Sequence, residues 1–116
     1  MDWGKVLYVF FQLMSLTSVA GFLYDHNSIA LFIAVSVNLI ATLLKVGSKN
    51  LFAAELFATS LVADLHLLPA FFYLMVKNDL RAAYAMAIGA LIANAVTIVL
   101  ILIEISKIYT GEEEED

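Results

Sequence analysis

The residues of this chain best suited to chemistry lie close together in one apolar run. Within residues 51–76 the only acidic, basic or imidazole side chains are Glu55, Asp64 and His66, and Pro69 follows shortly after. Asp64 is near the middle of the run. A carboxylate at the centre of a bilayer costs about 2.5–3.5 kcal/mol on insertion scales, so it normally faces an ion, a cavity or a partner. If the run crosses a membrane, these residues predict a polar point at mid-depth, without indicating what, if anything, crosses there.

Pro69 adds a backbone group to this candidate site. It cannot donate a hydrogen bond to the carbonyl of Leu65 and clashes with it, so we predict a helix that is kinked or broken near Pro69. The freed carbonyl of Leu65, with Asp64 and His66, would form a set of cation ligands. Asp64 and His66 are also the two candidates for metal ligands. Two structural readings stay open: a proline kink covered by neighbouring helices, and a histidine that only bonds a backbone carbonyl.

Helical phase divides these ionisable residues between two faces. At about 100° per residue, Glu55 and His66 share one face of a helix, and Asp64 lies almost opposite. A regular helix would then present ionisable groups on two sides. We therefore expect either an oligomer that buries both sides or a break near Asp64.

The elements that position these residues follow from composition. Hydrophobic residues make up 63% of the 116 residues, against roughly 45–50% in soluble domains. The chain is therefore predicted to be an integral membrane protein. It has no cysteine, which excludes disulfides, thiolate metal sites and cysteine nucleophiles. The net charge of −5 comes from the acidic residues 112–116, so its sign predicts no acidic binding surface.

Four apolar runs have about the 20 residues needed to cross a bilayer. We place the spans at 5–24, 29–46, 51–76 and 82–108, with turns at 25–28, 47–50 and 77–81. Short connections predict antiparallel neighbours. The expected fold is all-α: an integral membrane bundle of four transmembrane helices over residues 1–110, followed by an acidic cytoplasmic tail, 111–116.

The distribution of basic residues predicts the orientation. On the side of the two termini lie Lys5, Lys45, Lys49 and Lys107; on the other side lie Lys77 and Arg81. The positive-inside rule then puts both termini in the cytoplasm. We expect the bacterial inner (cytoplasmic) membrane as the location.

A layer of polar residues is predicted at mid-depth. The centres of the four spans fall near Ser15, Asn38, Asp64 and Asn94. Polar groups in a bilayer need partners, because no water is available there. The layer is either a set of hydrogen bonds between helices, worth roughly 0.6–2 kcal/mol each, or a midplane ion site. Glu55, nearer the inner surface, is either exposed to headgroups or part of an acidic mouth that concentrates cations.

Small residues in the fourth span predict self-association. Ala85, Gly89 and Ala93 recur at four-residue spacing, a pattern that lets another helix approach closely. Four short helices enclose too little space for a sizeable hydrophilic path. We therefore expect a homo-oligomer, with any pore between subunits.

Several function classes are disfavoured. The sequence has no pair of histidines at i, i+4, no Gly-rich phosphate loop and no nucleophile–base set, so we do not expect an enzyme, and we expect no cofactor. The six basic residues are dispersed, which does not support nucleic-acid binding.

The start Met1-Asp2-Trp3-Gly4-Lys5 and the segment Ala63–Pro69 resemble a family of small bacterial inner-membrane proteins of unknown function. The resemblance covers nearly the whole chain and implies the four-helix topology, but no function. Small multidrug-resistance exporters are similar in size, but their first-helix glutamate has no counterpart here. Fluoride channels also carry an asparagine in the second helix, as Asn38 is here, but their Gly/Thr/Ser/Phe-rich break in the third helix is absent and Asp64 would repel an anion. The acidic, proline-containing motif of the mitochondrial calcium uniporter is similar in chemistry to Asp64–Pro69, but here the proline is one residue further on, Ala63 replaces the preceding tryptophan and the second acid is missing.

Two functions remain open, and the sequence favours the first, because a mid-depth carboxylate beside a helix-breaking proline is costly unless it is used. The first is a homo-oligomeric cation channel or small transporter with Asp64 as principal ligand, assisted by His66 and Leu65, and with Asn38, Asn94 and Glu55 lining the path. It requires an ionised Asp64 that faces water. The second is a non-conducting structural or regulatory membrane subunit with a sealed polar network, which requires a dry Asp64 that is protonated or paired.

Overall fold

The chain folds into four α-helices. The computed structural model describes residues 3–46 and 52–115, with side chains as far as Lys107. The helices are α1 (Trp3–Asp25), α2 (Ser28–Lys45), α3 (Ala53–Met75) and α4 (Leu80–Glu115). Each helix is long and apolar enough to cross a membrane, the candidate span of α4 being Leu80–Lys107. The predicted all-α fold with four candidate spans is confirmed.

A short turn with a capping side chain joins α1 to α2. His26 has a positive φ of 57°, a conformation that turns use to reverse the chain. Asn27 then caps α2, because its side-chain oxygen accepts a hydrogen bond from Ile29 N at 2.9 Å. The predicted turn at 25–28 lies here.

The turn between α3 and α4 also contains a residue with a positive φ and a side chain that caps the next helix. Asn78 has a φ of 52°, and the next amide, Asp79 N, donates back to the carbonyl of Tyr73 at 2.9 Å. That bond supplies a donor to one of the last carbonyl groups of α3. The side chain of Asp79 accepts from Ala82 N at 3.0 Å and so caps α4. The predicted turn at 47–50 lies outside the described residues.

The four helices form an up-and-down bundle. α1 packs on α2, α2 on α3 and α3 on α4, and α4 closes the ring against α1. Within the described ranges the backbones of the diagonal pairs, α1 with α3 and α2 with α4, do not approach each other closely, and Tyr8 of α1 reaches α3 only through its side chain. Antiparallel sequence neighbours follow from the short turns, as predicted.

Pro69 lies inside α3 without interrupting it. The helix continues from Ala53 to Met75 through this proline. The expected break is therefore not formed, and the milder expectation of a kink stays a prediction. So does the homo-oligomer.

The interior of the bundle has two chemically different halves. We call the end with the turns at 26–27 and 76–79 the hairpin end, and the end with Lys5, Lys45 and Glu104 the charged end. The buried residues of the hairpin half are all apolar: Val19, Phe22, Leu31, Ala34, Val35, Leu67, Ala70, Ala83, Ala87 and Ala90. The buried polar residues all follow towards the charged end: Gln12, Ser15, Asn38, Thr42, Lys45, Ser60, Asp64, Asn94, Thr97 and Glu104.

The outer surface is apolar on every helix. Large exposed hydrophobic side chains include Phe10 on α1, Leu43 on α2, Leu65 on α3 and Ile92 on α4. A soluble bundle would place polar residues at such positions. An apolar exterior around a partly polar interior matches a lipid-embedded bundle.

The predicted self-association face is partly used within the chain. A Cβ built on Gly89 would lie 2.7 Å from Nε2 of His66, so the glycine makes room for this imidazole of α3. Ala93 is buried, and Ala85 is exposed. Self-association through Ala85, Gly89 and Ala93 stays a prediction, but the Gly89 surface already carries an intramolecular contact.

We expect Gly89→Val to destabilise the protein by about 1–3 kcal/mol, because the added side chain must displace His66 and separate α3 from α4. The measurement is thermal unfolding in detergent, followed by circular dichroism. Gly21→Val is the matched control, since a Cβ at Gly21 meets no atom within 4 Å. Equal stability of Gly89→Val and wild type would refute the close contact.

Candidate functional site

Asp64 is buried at the boundary between the two halves of the interior. Its exposed fraction is 4%. The two carboxyl oxygens contact different donors of α2: Nδ2 of Asn38 donates to Oδ1, and Oγ1 of Thr42 lies 2.6 Å from Oδ2. The same Asn38 nitrogen also donates to the carbonyl of Ser60 at 3.3 Å. Asp64 is therefore enclosed by polar groups of the protein itself.

The contact between α2 and α3 depends on two pairs of residues at helical spacing. Asn38 and Thr42 are four residues apart on α2, and Ser60 and Asp64 are four apart on α3. Residues at this spacing share one face of a helix. The two polar faces meet, which brings the carbonyl of Ser60 and the carboxyl group of Asp64 to the same amide nitrogen of Asn38.

The hydrogen bonds continue from Asn38 to α1 and α4. Ser15 Oγ donates to Asn38 Oδ1 at 2.8 Å, and Asn94 Nδ2 donates to Ser15 Oγ at 3.1 Å. Gln12 Nε2 in turn donates to Asn94 Oδ1 at 2.8 Å. All four helices thus contribute to one connected set, which we call the polar network: Gln12, Ser15, Asn38, Thr42, Ser60, Asp64 and Asn94.

The polar network has a direction. From Gln12 through Asn94, Ser15 and Asn38, each group donates to the next, and the series ends at the carboxyl group of Asp64. Gln12 Oε1, at the far end, is a fully buried acceptor without a hydrogen-bond partner in the described part of the chain. Each amide or hydroxyl group of the series therefore donates to the group that is one step closer to Asp64, and the carboxyl group of Asp64 is the last acceptor.

A second set of polar groups lies at the charged end. Glu104, with an exposed fraction of 1%, accepts from the backbone amide of Phe52 at 3.0 Å. Phe52 is the N-cap residue of α3, and its own side chain makes no capping bond. Glu104 of α4 therefore caps α3, where a negative charge is favoured. Its other oxygen lies 3.6 Å from Lys5 Nζ.

Tyr8 links the charged end to the polar network. Lys45 Nζ lies 4.2 Å from the centre of the Tyr8 ring, a cation–π distance. The Tyr8 hydroxyl is 3.3 Å from Ser60 Oγ, one helical turn from Asp64. Buried polar groups therefore extend from the charged end as far as Asp64 and stop there.

The structure brings together only part of the predicted site. Asn38, Asp64 and Asn94 belong to one network, as expected for a mid-depth layer. His66 lies on the opposite face of α3, where Nδ1 donates to its own helix at the carbonyl of Val62, 2.8 Å away. Leu65 has an exposed fraction of 69%, and Glu55 is exposed near the start of α3.

This arrangement separates the two candidate metal ligands. Asp64 faces the interior, whereas His66 lines an open groove of about 390 Å³ with Gly89 and Ala93. Among the described residues, no group of three His, Cys, Asp or Glu side chains could hold a metal ion. Asp64 and His66 therefore do not form a shared metal site within one chain.

Four members of the polar network were not among the predicted site residues: Gln12, Ser15, Thr42 and Ser60. Ser15 was expected in the mid-depth layer. The four-residue spacings of Asn38 with Thr42 and of Ser60 with Asp64 are a usable signal for the other two on α2 and α3. Gln12 carries no such signal, because its partner Asn94 is on a helix distant in sequence.

Comparisons with known proteins identify a family. The profile of a family of unknown function, DUF6394, matches residues 25–105. The chain belongs to this family. The expected resemblance to a family of unknown function is thus confirmed, and its bacterial source stays a prediction. The chain matches no curated protein and no solved structure. The match includes α2, α3 and most of α4, and with them Asp64, both of its donors and Glu104.

We expect Asn38→Ala to lower the free energy of unfolding by about 2–4 kcal/mol. The change removes a donor from Asp64 and an acceptor from Ser15, and leaves both groups buried. Thermal unfolding in detergent measures the effect. Ser36→Ala, at a half-buried position of the same helix, is the control and should stay near wild type. A loss no larger than in the control would contradict the network.

We expect Glu104→Gln to cost about 1–3 kcal/mol, because it weakens the cap on α3 and removes the charge beside Lys5. Glu55→Gln is the matched control, since Glu55 is an exposed glutamate in the first turn of α3, the helix that Glu104 caps. Hydrogen exchange of the first amides of α3 should accelerate in Glu104→Gln only. Equal exchange in both variants would remove the capping role.

Proposed function

We propose that this protein is a non-conducting structural or regulatory subunit of a membrane assembly. Of the two functions that the sequence leaves open, this is the one that the geometry favours. Its buried polar network fixes the relative positions of four helices whose apolar outer faces are left for lipid or for other membrane proteins. The proposed location is the bacterial inner membrane, with the charged end towards the cytoplasm.

The observation that carries the proposal is the apolar half of the interior. An ion that reached Asp64 from the charged end would next meet Val19, Leu31, Leu67 and Ala90, which offer it no polar side chain. Transfer of a charge into such surroundings is very costly. One protomer therefore supports a site reached from one end, and not a path across the membrane.

The state of Asp64 supports the same function. Conduction through Asp64 needs a carboxylate that faces water, whereas here the group is enclosed and bonded by Asn38 and Thr42. A network of this kind specifies a unique helix arrangement, since any other register leaves buried polar groups without partners. This property suits a subunit that presents a fixed surface to a partner.

A cation channel or transporter is the second candidate. One observation favours it: the polar groups from Lys5 and Glu104 through Tyr8 and Ser60 to Asp64 form half of a membrane path. Completion of that path requires either a homo-oligomer that adds a polar route between subunits or a rearrangement that opens the hairpin half.

Flux measurements on reconstituted liposomes decide between the two candidates. We expect wild type and Asp64→Asn to give the same Na⁺, K⁺, Ca²⁺ and H⁺ flux as protein-free liposomes, with an ionophore as the positive control. Glu55→Gln is the matched acidic control, because Glu55 is exposed. Flux in wild type and in Glu55→Gln that is lost in Asp64→Asn would overturn the proposal and establish the channel.

A further inference from the structure

The hydroxyl group of Thr42 has one hydrogen and two acceptors within reach. Oγ1 lies 2.6 Å from Asp64 Oδ2 and 2.9 Å from the carbonyl oxygen of Asn38, one turn earlier on the same helix. A hydroxyl group donates one hydrogen bond and accepts up to two. It cannot donate fully to both oxygens, so the two contacts are satisfied together only if one partner supplies a proton.

A backbone carbonyl carries no proton, whereas a carboxyl group can. With Asp64 ionised, Thr42 donates to Oδ2 and the Asn38 carbonyl loses that bond. With Asp64 protonated on Oδ2, the acid O–H donates to Thr42 Oγ1, and the hydroxyl hydrogen turns to the Asn38 carbonyl. Both states are hydrogen-bonded without a change in the position of any heavy atom.

We propose that Asp64 and Thr42 form a reversible proton-binding site, in which the Thr42 hydroxyl reverses its direction as Asp64 gains or loses one proton. On uptake, one O–H bond of a hydronium ion breaks to leave water and an O–H bond forms at Asp64 Oδ2, and no other covalent bond of the protein changes. The proposal deepens the proposed function, because it names the ligand of the buried site and gives a regulatory subunit something to sense.

A proton fits this site better than a metal ion does. A metal would need further oxygen ligands around Asp64, but Asn38 presents its nitrogen there and turns Oδ1 to Ser15. The amide cannot simply turn over, because its nitrogen also donates to the carbonyl of Ser60. The reversed amide would bring two acceptor oxygens together.

The proton exchanges through the charged end. The titratable groups on that side are Tyr8 and Lys5 on α1, Lys45 on α2 and Glu104 on α4; on α3, His66 is on the opposite face and Glu55 is exposed. The Tyr8 hydroxyl lies 3.3 Å from Oγ of Ser60, which is one helical turn before Asp64 on α3. On the hairpin side the fully buried residues are apolar, and the hydroxyl group of the half-buried Tyr84 is already bonded to the carbonyl of Leu23.

Infrared spectroscopy of the full chain in liposomes, labelled with ¹³C-carboxyl aspartate, tests the site. At about pH 4 we expect the carbonyl stretch of protonated Asp64. As the pH is raised to about pH 9, a carboxylate band should replace it. The acid band should shift in D₂O and be missing in Asp64→Asn. The other four aspartates of the sequence, Asp2, Asp25, Asp79 and Asp116, are present in both samples and cancel in the difference.

Two variants of Thr42 keep the test valid if Asp64→Asn does not fold. Thr42→Val should move the acid band to the position of a carboxyl group without that hydrogen bond, and Thr42→Ser should leave it in place. Thr17→Val is the matched control, since Thr17 is exposed and donates only to carbonyls of its own helix. These spectra do not depend on flux, so failure of this site and failure of the proposed function are separate results.

Three results would overturn the proton site. The first is the lack, at every pH, of an acid band that depends on Asp64. The second is an acid band that never converts to carboxylate, or that Thr42→Val leaves unchanged. The third is a band that responds to added Na⁺, K⁺ or Ca²⁺ at constant pH and not to pH itself.

Discussion

A carboxyl group enclosed by four apolar helices must obtain its hydrogen bonds from those helices, because no bulk solvent reaches it. Asp64 imposes this requirement here, and much of the packing follows from it. α2 has to present Asn38 and Thr42 to α3, and the carbonyl oxygen of Asn38's side chain then needs Ser15. The positions of three helices are coupled through these bonds, and Asn94 extends the coupling to α4.

The proposed function depends on the division of the interior. The buried polar groups lie between Asp64 and the charged end, next to the apolar cluster of Ala41, Leu56 and Ile101, whereas the buried residues of the other half are all apolar. Small side chains such as Ala83, Ala87 and Ala90 let α4 lie close to its neighbours and leave little room for water. An acidic site that is polar on one side only suits the sensing of conditions on that side.

The sequence was sufficient for the fold and for part of the site. Apolar length and turn residues predicted four helices, and the centres of the spans predicted that Ser15, Asn38, Asp64 and Asn94 would lie at one level. The rest depends on helix rotation, which proximity along the chain does not reveal. His66 is two residues from Asp64, yet it faces away, while Thr42 and Gln12 are distant in sequence and belong to the network.

The order of the network along the chain bears on how the protein is made. Asn38 and Thr42 precede Asp64 in the sequence, and they supply both of its donors. The hairpin of α1 and α2 is therefore synthesised before the acidic helix enters the membrane, and it already carries the groups that Asp64 needs. The bonds made by α4, which are the cap on α3 from Glu104 and the contacts of Asn94 with Gln12 and Ser15, have to wait for the last helix. Asp64, which has the highest cost of insertion, therefore has its hydrogen-bond donors in place when α3 inserts. The N-terminus of α3, in contrast, is capped only after α4 has been made.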